Sequence, residues 1–151
     1  MSDEVADRAD LEALAAFSPI FADPDIRFGT WTSPDPVDDE SIRLSYVALT
    51  EVAERFLLTC AEHEWIHPDI DWAAWSGTPE ARRLRDDPHA LASATRDDLA
   101  HLLTALVKGD RFDEGQLLDA FESGLLRRIA ERAAKLAPDV ARSTGTAPAD
   151  R

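Results

Sequence analysis

The sequence predicts an all-α protein: a single domain built as an irregular bundle of about five or six short helices, with a long acidic N-terminal loop. Three observations predict it. Alanine and leucine dominate the apolar residues, while valine and isoleucine are sparse and there is one tyrosine. Such side chains lose little freedom in a helix. Apolar positions recur at three- and four-residue spacing in several separate segments. Between those segments stand helix start and stop signals such as Ser18-Pro19, Thr78-Pro79, Asp87-Pro88 and Gly109. With 151 residues and 44% hydrophobic content, the chain suffices for one modest core.

The elements follow in order. Leu11, Leu14 and Ala15 mark a first helix from Asp7 or Asp10, stopped by Ser18-Pro19. Ile20 to Ser41 carries three prolines, Gly29 and several aspartates, and reads as a long loop pinned by Phe21, Phe28 and Trp31. Arg43 to Leu49 is a short extended stretch, too brief to imply a sheet. Thr50 caps the next helix, whose stripe is Val52, Ala53, Phe56, Leu57 and Cys60. Thr78-Pro79-Glu80 starts another, and Asp87-Pro88 a short turn through Ala92. Thr95 opens a strong helix bearing Leu99, Leu102, Leu103, Leu106 and Val107, with Gly109 expected as its left-handed cap. A helix from about Asp110 to Ser123 buries Leu117, Leu118 and Phe121, and Gly124 ends it. The last runs from Leu125 to Leu136, before Pro138, and the tail STGTAPADR is expected to be disordered. The organisation read here is an acidic extension over 1–40, a helical domain over 41–137 and a tail over 138–151.

Charge narrows the function classes. The net charge is −14, and residues 1–40 hold 11 acidic side chains against Arg8 and Arg27. Such a field repels phosphate backbones and anionic membranes. One cysteine, Cys60, leaves no disulfide framework, and the start MSDEVADRAD lacks an apolar signal region. No apolar run reaches membrane-spanning length. A cytoplasmic, soluble protein is the expectation.

One motif stands out chemically. His63-Glu64-Trp65-Ile66-His67 spells H-E-x-x-H, which on a helix places two imidazoles and a glutamate as in zinc proteases. Pro68 follows directly and disfavours helical geometry at His67. His89 and His101 follow no zinc-protease spacing. The motif therefore reads as a helix end with Trp65 and Ile66 turning inward, and neither a metal nor a cofactor is expected.

Two segments carry a wider likeness. EWIHPDIDWAAW contains Pro68 and Asp71-Trp72, and LAHLLTALVKGDRFDEGQLLDAFESGLLRRI contains Arg-Phe-x-Glu-Gly and Ala-Phe-x-Ser-Gly. With their mutual spacing, these segments resemble an uncharacterised prokaryotic family, domain of unknown function 6508, over about Leu44 to Leu136. The resemblance implies no activity. The family pattern does not include the two histidines of HEWIH.

The residues themselves have a structural reading. Asp110 is placed to cap the next helix, and Arg111 and Glu114 lie three apart, within pairing distance on a helix. Gly115 inside a helix costs roughly 1 kcal/mol against Ala, which points to close approach by a backbone or an aromatic ring. Phe112 is a natural core residue. The binding reading takes Asp71, Trp72, Arg111, Phe112, Glu114 and Gly115 as candidates lining one cleft.

Three functions compete. A non-catalytic interaction or regulatory module with a protein partner fits the short helices and the absence of a nucleophile–base pair or a phosphate-binding glycine loop. A nucleic-acid binder fits the helix-turn-helix lengths of 96–108 and 111–123. Asp113, Glu114, Asp119 and Glu122 give that second helix the wrong sign, and only Arg127, Arg128, Arg132 and Lys135 form a basic strip. An enzyme would need Asp71, Arg111 and Glu114 to converge. The first reading is preferred.

Overall fold

A computed structural model describes residues 2–32, 46–110 and 115–144. The chain begins with α1 (Ser2–Ala15) and the one-turn α2 (Ser18–Phe21). Ser18-Pro19 thus opens a second helix as well as closing the first, because proline fits where an N–H has no intrahelical partner. Strands β1 (Gly29–Thr32) and β2 (Tyr46–Leu49) pair antiparallel, Gly29 opposite Leu49 and Trp31 opposite Val47. The remaining elements are α3 (Glu51–Glu62), α4 (Trp72–Ser76), α5 (Pro79–Asp86), α6 (Pro88–Leu91), α7 (Arg96–Gly109), α8 (Gln116–Glu122) and α9 (Leu125–Thr144).

The molecule is mostly helical, with one small sheet that a strictly all-α reading omits. β1 lies inside the stretch expected to be loop. Four residues, Gly-Thr-Trp-Thr, are too few to show a period, and pairing between distant segments leaves no local signature. Residues 33–45, the last part of the acidic stretch and Arg43 to Ser45 among them, lie outside the described residues.

One core gathers side chains from nearly every helix. Leu11 and Leu14 of α1, Phe56 and Cys60 of α3, Leu102 and Leu103 of α7, and Leu126 and Ile129 of α9 are fully buried. At one end, Phe17, Phe21, Phe28, Phe56 and Phe121 form an aromatic cluster with ring centroids 4.9–5.8 Å apart. Edge-on and offset contacts of this kind add to area burial because ring edges and faces carry opposite partial charge. The N-terminal helix is therefore integral to the core: its pairing with α9 is the most extensive between elements.

Local capping chemistry sets most boundaries. Thr78, Asp87 and Thr95 each cap a helix, accepting from the backbone amides of Ala81, His89 and Asp98. At Thr95 the box closes, since Asp98 accepts in return from the Thr95 amide at 3.0 Å. Thr50 occupies the N-cap position of α3 without a side-chain cap; its hydroxyl instead donates to the Arg27 carbonyl at 2.7 Å.

Three expectations are corrected here. Gly109 is the last residue of α7 and is followed by Asp110 in right-handed geometry, so it is no left-handed cap. Its smallness serves packing: a Cβ there would lie 2.9 Å from Gln116 Nε2. Gly115 is not inside a helix but precedes α8, at φ +101. α9 continues through Pro138 to Thr144, taking in the first seven residues of the tail expected over 138–151. Proline inside a helix costs about 3 kcal/mol, which the long packing of α9 against α1 offsets.

Candidate functional site

H-E-x-x-H is dismantled by the backbone. α3 ends at Glu62, so His63 is its C-cap and His67 lies in the following turn. Glu64 adopts φ +58, its N–H reaching Ala61 O at 3.3 Å and the Trp65 N–H reaching Cys60 O at 2.8 Å. This is a Schellman ending, with Trp65 and Cys60 both fully buried at the hydrophobic contact that accompanies it. Pro68 is thus not what stops the helix; burial of Trp65 turns the chain first. The turn is then pinned to α7. Thr104, the one buried polar side chain among the described residues, donates to Trp65 O at 3.2 Å and accepts from His67 N at 3.1 Å. Lys108 Nζ donates to His67 O at 3.3 Å.

The same corner holds a charged network that the sequence concealed. Asp10 of α1 meets His63 Nδ1 at 2.8 Å with one carboxylate oxygen and accepts from Arg96 at 3.0 Å with the other. Its backbone carbonyl accepts from Trp65 Nε1 at 3.2 Å. The Arg96 guanidinium lies 4.6 Å over the Trp65 ring, a cation–π arrangement. Three segments far apart in sequence meet in this pin, which ties α1 to the end of α3 and the start of α7. Among the described residues no group of three or more His, Cys, Asp or Glu is placed to hold a metal ion.

The expected site residues fare differently. Asp71 is the N-cap of α4, its carboxylate accepting from Ala74 N at 3.2 Å, and Trp72 begins that helix half-buried. Arg111, Phe112 and Glu114 lie outside the described residues. Gly115 is buried and its neighbour is informative: a Cβ built there would stand 2.4 Å from the Trp31 ring. Of the two close neighbours expected at Gly115, a backbone or an aromatic ring, the structure supplies the ring, from β1. Asp110 Oδ1 accepts from Gly115 N at 3.2 Å and Leu117 N at 3.1 Å, nailing the motif's end to the start of α8. Trp31 keeps 51% of its surface exposed, among the largest apolar exposures described.

The helix-turn-helix lengths do not hold. α8 is the seven-residue Gln116–Glu122 rather than 111–123. Among the recesses of the described residues, one of about 290 Å³ is floored by Phe21, Phe28 and Phe121, with Asp23, Arg27, Glu122 and Arg127 of balanced sign around it. Another, of about 140 Å³, lies between α6 and α9 and gathers Arg128, Arg132 and Lys135. Sequence reading saw these cations only as a solvated strip, since nothing local announces that α6 closes over them.

A model of a family described as "Family of unknown function (DUF6508)" matches residues 6–139. The match reaches well beyond Leu44–Leu136 and takes in most of α1 and the acidic stretch. No curated protein and no solved structure matches the chain.

Proposed function

The chain belongs to this family of unknown function, and on that premise we propose that it is a non-catalytic interaction module that docks a protein partner at the Trp31–Gly115 corner. The observation that carries the reading is the half-exposed indole of Trp31 seated on Gly115, the last residue of Arg-Phe-x-Glu-Gly. A large, half-exposed aromatic packed on a backbone makes an anchor of the kind that dominates binding energy at interfaces. Gly115 in the left-handed region, held by Asp110, keeps the platform from yielding.

Affinity purification of the tagged full chain at moderate salt tests this, run beside Trp31→Ser. The expected result is a stoichiometric partner whose affinity falls by about thirtyfold or more in the variant, the loss of one interface hot spot. Trp31 is exposed enough for the variant to fold, which circular dichroism checks. A monomeric mass with no partner, or equal retention by both chains, overturns the proposal.

A further inference from the structure

We propose that the recess between α6 and α9 binds a small tetrahedral oxyanion of the phosphate class, at a site separate from the Trp31 corner. Arg128, Arg132 and Lys135 fall on one face of α9, at spacings of four and three, and line the recess together. Leu91, nearly fully buried, and Pro88 of α6 give it an apolar wall. A wall of this kind lowers the local dielectric and strengthens charge–charge attraction.

The arginines are oriented before any ligand arrives. Arg132 Nε donates to the Ala94 carbonyl at 2.8 Å, and an Arg128 terminal nitrogen reaches the Ser123 carbonyl at 3.5 Å. These partners are neutral carbonyls, so they orient the guanidiniums without cancelling their charge. Arg128 Nε is shielded from solvent without a hydrogen-bond partner among the described residues. A buried donor left unmet is costly, so this guanidinium keeps hydrogen-bonding capacity that the fold itself does not use.

Charge and size select the ligand. The lining carries three cations against Glu131, and no ion pair joins Glu131 to them among the described residues. A net positive recess in a chain of net charge −14 reverses the overall field locally. The recess floored by Phe21, Phe28 and Phe121, with balanced charges, shows no such preference. The recess, of about 140 Å³, has room for an anion the size of phosphate. Two planar forks and an ammonium in one lining suit a tetrahedral anion better than a flat carboxylate, which one fork satisfies.

Thermal unfolding of the full chain is followed against inorganic phosphate, against glycerol phosphate as a phosphomonoester, and against chloride at matched ionic strength. The expected result is a saturable rise in Tm with a phosphate species that chloride does not reproduce. Apparent affinity should weaken at least tenfold in Arg128→Gln and in Lys135→Gln, but not in Arg82→Gln, an equal charge change on the exposed face of α5. Lys135 is exposed, so its variant tests the site even where Arg128→Gln perturbs folding. A stronger response to glycerol phosphate assigns the ligand to phosphomonoesters, and a stronger response to inorganic phosphate assigns it to the free ion. A response that chloride matches, or that survives both recess variants, overturns the proposal. None of these readouts involves a protein partner, so the Trp31 proposal stands or falls separately.

Discussion

Glu64 is the residue where local chemistry and fold disagree most. It sits at φ +58, a region that places Cβ against the backbone and costs a non-glycine residue roughly 1–2 kcal/mol. The position persists because Trp65, the next residue, is fully buried. Glu64→Gly removes that strain, partly offset by the entropy glycine adds to the unfolded chain. The expected outcome is a stabilisation of about 0.5–1 kcal/mol by urea titration, and a lower midpoint would contradict the Schellman assignment. Four residues earlier, burial pushes the Cys60 thiol up from 9.0 to about 12. Below pH 9 both folded and unfolded chains keep the proton, so this contribution to stability is fully present. Between pH 9 and about 12 the unfolded chain loses a proton that the folded chain retains, and stability falls with rising pH by up to about 1.4 kcal/mol per unit. Urea titrations of wild type and Cys60→Ala across pH 8–10.5 should show the steeper decline in wild type alone.

Helices here are bounded by short-range hydrogen bonds, and those bonds make unequal contributions. Thr95 and Asp98 satisfy each other's amides at the start of α7, the helix that carries Leu99, Leu102, Leu103 and Leu106 into the core. Thr95→Ala should cost about 1 kcal/mol and Thr95→Ser much less, since the serine oxygen keeps the cap. Thermal unfolding distinguishes the two. Thr50 looks equivalent in sequence but caps nothing with its side chain. Its hydroxyl ties the start of α3 to Arg27, so its value is tertiary. The same contrast holds at the helix ends. Gly124 at φ +87 separates α8 from α9 as its residue type suggests, whereas Gly109 gives room to the end of the Gln116 side chain.

At the scale of the molecule, two long-range fastenings hold the arrangement. The Asp10–His63–Arg96 pin joins α1 to α3 and α7, and the Trp31–Gly115 contact joins the small sheet to the start of α8. The second can be measured as a coupling. Gly115→Ala meets both φ +101 and a Cβ placed 2.4 Å from the Trp31 ring. It should destabilise by about 2 kcal/mol or more, from backbone strain and overpacking together. Adding Trp31→Ala relieves the clash but not the dihedral strain, so the double mutant should recover part of the loss. A coupling below about 0.5 kcal/mol in the double-mutant cycle would mean that the two residues do not touch. Among the described residues no helix is long and apolar enough to cross a membrane.

By itself the sequence determined the mostly helical class, the caps at Thr78, Asp87 and Thr95, the core stripes of α3 and α7, and the family to which the chain belongs. These depend on interactions within a few residues, which composition and spacing record directly. It also pointed to close approach at Gly115 by a backbone or an aromatic ring, although from a place inside a helix that Gly115 does not occupy. Only the tertiary structure decided that the neighbour is Trp31, that Asp10 meets His63 and Arg96, and that α6 closes over the cations of α9. It likewise decided that α9 runs through Pro138 and that HEWIH is a corner pinned by Trp65 and Thr104. Those outcomes come from contacts between segments distant in sequence, where burial outweighs local propensity and leaves no periodic trace to read.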